Sequence, residues 1–246
     1  MSKKKEITGR INDNGTRPEH REGSWNAFRR AFRRYFPLTL ILWILFVLYP
    51  SPLNLFVSIH RFVNPPVDPV AVETILDDLP SDPVAIEQAI LARISFRLDW
   101  ELHGMPWYFP TVDQVLERGQ GDCKARALVL ASVLKAKAIS AEVNSSPVHV
   151  WVDYEGKEDN SIENDQVKFF QNDPETGEKR LQIPQIDLGA LVDSWRQQLW
   201  TSMPTDRKAL LLLGMIALIA ARVVLYNKKM LAITARRRSA WRTESL

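Results

Sequence analysis

The chain has 246 residues, 46% of them hydrophobic, and a formal net charge of +3. That is enough for one good core with apolar length left over. One cysteine excludes an intramolecular disulfide, and the basic residues crowd the two ends beside apolar runs, which argues against nucleic acid as a partner.

Residues 1–35 form a basic segment. Lys3, Lys4, Lys5, Arg10, Arg17, Arg21, Arg29, Arg30, Arg33 and Arg34 face only four acids there. The first 23 residues show no sustained period and are expected to be disordered and cytosolic. Trp25, Phe28, Phe32 and Tyr35 then fall on one helical face with arginines opposite, the pattern of a juxtamembrane amphipathic helix. Residues 36–57 carry no charge, and about 20 apolar residues span a bilayer. A first transmembrane helix is therefore expected, ending or kinking near Tyr49 because Pro50 and Pro52 follow. No small-residue cleavage site precedes Ser58, which favours a retained anchor over a signal peptide.

Residues 208–226 give a second transmembrane helix, and residues 227–246 a basic tail. Basic flanks on both spans put both termini in the cytosol by the positive-inside rule. Residues 58–207, acidic through most of their length, then form a domain in the periplasm or outside the cell, with its core at about 81–185. The expected localisation is the cell membrane, multi-pass.

Within that domain, helices are expected over about 70–79, from Ser81-Asp82-Pro83 to about Ile94, and from Thr111 through Arg118. Between them lies an aromatic stretch that includes Trp107 and Tyr108. Gly121-Asp122-Cys123 opens a long helix in which Ala127, Leu130, Val133 or Leu134, and Ala136 recur at helical spacing. Asp122 suits the N-cap. Cys123 would then sit at the positive end of the helix dipole, where thiolate is favoured over thiol. A small core hydrophobe is the ordinary alternative for a lone cysteine.

Strands are expected over Ala141–Asn144, over Val148–Tyr154 and over Gln166–Gln171. On the second, His149, Trp151 and Asp153 alternate with Val150, Val152 and Tyr154. A helix-terminal cysteine, a strand histidine and a carboxylate near the next strand make a workable triad order. Asp153 lies roughly 13 Å along the strand from His149, too far for a hydrogen bond. Asp173 fits better, with Asn172 as the substitute. An amphipathic helix, Leu188 to Trp200, leads to the second span. Metal-ligand spacings and phosphate-binding glycine loops are missing from the sequence, so neither metal nor cofactor is expected.

Pro110, Gly121-Asp122-Cys123, Ala127, His149-Val150-Trp151 and Asp173-Pro174, in that order, resemble the core of the transglutaminase-like superfamily. Its bacterial and archaeal members are papain-like cysteine enzymes. The resemblance covers about Ile94 to Pro174. It implies an α+β fold, with the cysteine helix packed on an antiparallel sheet. It implies Cys123 as nucleophile, His149 as base and Asp173 as orienting carboxylate, with Trp107, Tyr108 and Trp151 at the oxyanion or cleft. The implied activity is attack on peptide or protein amide bonds through a thioester, with hydrolysis by a protease or deamidase favoured over crosslinking. A catalytically silent binding or scaffold module of an envelope complex is the alternative, and a redox sensor built on Cys123 is a third. Departures include Glu175 after Asp173-Pro174, where the family often has threonine, and a long polar loop between His149 and Asp173.

Overall fold

The computed structural model describes residues 19–158, 160–172, 179–185 and 187–243. They fall into two units, Met1–Ile41 with Ile216–Leu246, and Leu42–Met215. Of the first 23 residues, expected to be disordered, 1–18 lie outside the described residues, while Glu19–Gly23 are helical and open the first helix; the triad candidate Asp173 also lies outside the described residues. The chain is mixed α and β, 59% helical with small sheets.

Helix α1 runs Glu19–Leu48 and α2 runs Pro52–Val63. The uncharged run 36–57 is thus broken, as its prolines predict. The Arg34–Leu48 part and α2 meet at 80°. Pro50 and Pro52 remove amide donors across the break, and Pro52 sits at the first helical position of α2. The last helix, α8, runs Thr205–Thr243. Its stretch Thr205–Tyr226 is long and apolar enough to cross a membrane. In the larger unit α8 approaches α1 at Gly214, where an added Cβ would stand 2.1 Å from the Trp43 ring. Trp43 Nε1 donates to the Leu211 carbonyl at 3.4 Å. In the smaller unit the Arg222 guanidinium lies 4.4 Å from the centre of the Phe36 ring.

Between these helices come a 3₁₀ segment Glu73–Asp78, α3 (Pro83–Arg93), β1 (Ser95–Phe96), α4 (Asp99–His103) and α5 (Val112–Arg118). The expected helix at 70–79 is only the 3₁₀ turn. Asp68 Oδ1 accepts from the amides of Val70 and Ala71, which fixes a turn where a helix would need to propagate. Asp82 caps α3, and Thr111 with Gln114 forms a capping box on α5. Next come β2 (Gln120–Gly121), α6 (Cys123–Ala136), β3 (Ala141–Ser145) and β4 (Val150–Tyr154). β1 pairs β2 in parallel, and β3 pairs β4 antiparallel with Asn144 opposite Trp151.

Helix α6 is the centre of the core. Leu128, Val129, Val133 and Leu134 have no exposure, and α6 packs on α3, α5 and the β3–β4 hairpin. Val150, Val152 and Tyr154 turn inward from β4, as their alternation predicts. A helix buried on every side needs its polar groups satisfied. Ser132 Oγ donates to the Leu128 carbonyl and accepts from the Asp68 amide.

The third expected strand is displaced. Gln166 and Val167 are in a turn, and β5 runs Phe170–Asn172, paired antiparallel with β6 (Lys179–Leu181). Asn164 accounts for the shift, since its side chain accepts from the Gln166 amide and its carbonyl from the Val167 amide. Helix α7 (Leu188–Trp195) continues into a π turn, Arg196–Thr201, before α8.

Candidate active site around Cys123 and His149

The approach to Cys123 is set by backbone geometry. Gly119 ends α5 at φ 61°, a left-handed conformation that glycine adopts freely. At Gly121 an added Cβ would lie 2.4 Å from Ala125 Cβ, so only glycine lets the strand run this close under the first turn of α6. Asp122 then caps the helix, with Oδ1 accepting from the Ala125 amide at 3.3 Å. Cys123 is the first helical residue, as its motif predicts.

The thiol accepts from the N–H groups of Val150, the residue after His149, and of Lys124. Protein surrounds it on most sides, though it keeps some exposure through the cavities it lines. Burial pushes the thiol up to about 11, and the Asp122 carboxylate adds to the rise. Lys124 and the two N–H groups pull the other way without offsetting it. The expected helix-terminal thiolate is therefore corrected: the residue that caps the helix brings a negative charge of its own, and burial disfavours the anion.

Lys124 is buried and bridges Asp122 and Asp99, with Nζ to Asp99 Oδ2 at 2.6 Å. Its proton affinity is raised: burial opposes the charge, but the two carboxylates outweigh it. Asp99 is pushed up, first by burial and further by Asp122, against the pull of Lys124. One ammonium cannot neutralise two buried carboxylates, so one of them holds its proton more tightly. Asp99 Oδ2 also accepts from the Tyr108 amide at 2.8 Å. The cluster thus ties the aromatic stretch around Trp107 to the start of α6.

His149 ends the turn Ser146–His149 that joins β3 to β4. Its amide donates to Ser146 Oγ at 3.1 Å, and the Ser146 amide donates to its carbonyl at 2.8 Å. Nε2 donates to Glu163 Oε1 at 2.6 Å. Glu163 is held in turn by Asn160 at 3.0 Å and Lys157 at 3.1 Å. Burial works to raise the Glu163 carboxyl, yet its hydrogen bonds from His149 and Lys157 hold it below the usual range. An ionised acceptor on Nε2 leaves Nδ1 of a neutral ring as the proton-accepting nitrogen. The His149 ring stacks over Trp151 at 6.1 Å and 7°. Trp151 Nε1 donates to Asp153 Oδ1 at 2.8 Å, and Asp153 also pairs with Lys168 at 2.7 Å. Asp153 is therefore committed to Trp151 and Lys168, in keeping with its expected distance from His149.

Cys123 and His149 line the walls of two cavities. One, of about 350 Å³, adds Phe62, Trp107, Phe169, Trp195 and Leu199. The other, of about 400 Å³, adds Trp151, Arg126 and Glu163. Trp107 and Trp151 thus both reach the site. Tyr108 lines neither cavity: its hydroxyl donates to Gln114 Oε1 at 3.3 Å, and it stacks near His103. The residue expected at the oxyanion or cleft thus stands apart from both cavities, with its hydroxyl on the capping-box glutamine of α5. Asp173 lies outside the described residues, and of Asn172 only the backbone, in β5, is described. Among the described residues, the carboxylate on His149 is Glu163, which the sequence reading passed over, and no group of three or more His, Cys, Asp or Glu is placed to hold a metal ion. The signal for Glu163 was faint: Asn160, three residues before it, folds an Asx turn onto the Ile162 and Glu163 amides.

Comparison with models of known protein families, with curated proteins and with solved structures found no match.

Proposed function

We propose that the chain is a membrane-anchored, transglutaminase-like cysteine enzyme that cleaves or transfers amide-linked acyl groups of peptides or proteins. The observation that carries this reading is the pair Cys123 and His149 on shared cavity walls, with Glu163 on Nε2 of the imidazole. The thiol is neutral at rest, so His149 acts as general base and not as one half of a standing ion pair. As Sγ bonds to the amide carbonyl carbon, His149 Nδ1 takes the S–H proton. The carbonyl collapses to a thioester as the C–N bond breaks, and the imidazolium gives that proton to the leaving amine. Water, deprotonated by the same imidazole, then hydrolyses the thioester and frees the thiol. Glu163 holds the ring's tautomer and stabilises its charged form.

The membrane part rests on the apolar helix Thr205–Tyr226, the bent apolar pair Arg34–Leu48 with α2, and the basic flanks. In this reading both termini are cytosolic, and residues 58–207 lie outside. Reporter fusions test it: a fusion at the tail should give a cytosolic signal, and one within residues 155–158 an external signal.

For the chemistry, peptide-amide turnover should vanish in Cys123→Ala and His149→Ala. Activity retained in either ends the mechanism. The raised thiol favours one rival, a catalytically silent binding module. That reading predicts full function from Cys123→Ser in cells.

A further inference from the structure

The two helices beside the apolar segments carry apolar faces that protein leaves uncovered. On α7 and its π turn, Leu188, Val192, Trp195 and Leu199 recur at intervals of three or four residues. They are 72%, 63%, 52% and 40% exposed. On α2, Leu53, Phe56 and Val57 share one side, at 71%, 67% and 40%. Isolated exposed apolar residues are ordinary, but stripes on adjoining elements mark an interaction surface.

The fold indicates what covers them. Helix α2 leaves the apolar Arg34–Leu48 helix at 80° after a break of three residues. An amphipathic helix set at nearly a right angle to an apolar segment has the geometry of one lying along the bilayer surface, with its exposed apolar face in the lipid. The π turn ends at Thr201, and the apolar helix starts at Thr205. Both stripes are thus continuous with segments fitted to lipid. Trp195 and Trp200 fall where α7 meets α8, the position indoles favour at a membrane boundary.

These helices also wall the apolar cavity at Cys123, through Phe62 of α2 and through Trp195 and Leu199. Trp195 Nε1 donates to the Pro147 carbonyl at 3.4 Å, on the turn that presents His149. Gln198 Nε2 donates to the Pro106 carbonyl at 3.3 Å, beside Trp107.

We propose that α2 and α7 lie in the bilayer interface and that the Cys123 cavity takes an acyl donor held at the membrane: a lipid-linked or membrane-inserted peptide whose apolar residue or chain fills the space between Phe62, Trp107 and Leu199. The docking half needs no catalysis. The substrate half rests on the enzyme reading above.

The test uses the full chain in vesicles of phosphatidylcholine and phosphatidylglycerol. In a Cys123→Ser background, nitroxide labels are placed by Leu53→Cys, Val192→Cys, Asp193→Cys and Glu155→Cys. Labels at 53 and 192 should collide more with oxygen than with a water-soluble nickel chelate, and those at 193 and 155 the reverse. Equal nickel access at 192 and 155 overturns the docking. So does dipolar broadening at 192, which would place a second copy on the stripe.

The wild-type chain in the same vesicles is then offered one peptidyl electrophile with and without a palmitoyl tail. The tailed probe should label Cys123 at least about tenfold faster. Equal rates overturn the membrane-held substrate and leave the enzyme reading standing. No labelling of the wild-type chain by either probe, where the spin-labelled variants report docking in the same vesicles, takes the enzyme reading down with the substrate and keeps the docking.

Discussion

Helix α6 and the α2–α7 pair use the same residue types to opposite ends. Leu128 and Leu134 in α6 have no exposure, whereas Leu53 and Leu188 are 71% and 72% exposed. In α6 the apolar side chains meet α3, α5 and the β3–β4 hairpin and hold one first turn in place. In α2 and α7 the stripe residues Leu53 and Leu188 stand largely clear of protein, while Phe62 and Trp195 turn inward to wall a cavity. Sequence hydrophobicity is therefore ambiguous about surroundings: a leucine stripe serves as core or as an exposed belt according to what its neighbours leave uncovered.

The largest break in this comparison comes at the polar end of α6. Lys124→Ala strands Asp99 and Asp122 in the interior and should cost about 3–5 kcal/mol, read as loss of the folded domain in detergent melts. Leu128→Ala, a cavity in the core, should cost about 2–5 kcal/mol. Gly121→Ala forces a methyl onto Ala125 and should cost about 1–3 kcal/mol by overpacking. In the belt, Leu188→Ala should shift the same melts by less than about 0.5 kcal/mol. A large loss at Leu188 would mean that protein covers the stripe, and the contrast would fail.

A pH series sharpens the polar end. Asp99 is raised to about 7 by burial and by Asp122, against Lys124. A carboxyl with higher proton affinity folded than unfolded adds stability that is complete below the unfolded value and is lost as pH rises through the folded one. Stability should therefore decline from about pH 4 towards 7 through this group, and Asp99→Asn should remove that slope. Glu163 runs the opposite way: held low, it contributes stability that is lost as pH falls. For activity, Glu163→Gln should lower kcat by about 10²-fold or more with little change in KM.

The elements that place the thiol were legible in the sequence, because their signals are local. Asp122 as N-cap, the Thr111 cap, the period of α6 and the alternation from Val150 to Tyr154 each depend on a few neighbouring residues, though the strand starts at Val150 and leaves Val148 and His149, expected on it, in the turn. The carboxylate bonded to His149 was not legible. Glu163 reaches His149 from an irregular loop held by Asn160 and Lys157, and such loops carry no period. The state of the thiol was missed for a related reason. A dipole argument predicts an anion, while Asp122 and the walls of the site predict a neutral group. Only the packing shows which wins. The fate of residues 36–57 was half legible: Pro50 and Pro52 marked the break, but composition did not show that the second helix sets off at 80° to the first.

The central claim is that a neutral Cys123 thiol is worked by His149. It is tested most directly by the pH dependence of iodoacetamide alkylation of the full chain, wild type beside His149→Ala, with the single adduct read by mass. The account predicts reactivity near neutral pH only in wild type, above an alkaline limb that rises towards about 11 in both. Superimposable profiles would contradict it, for the imidazole would then have no hold on the thiol.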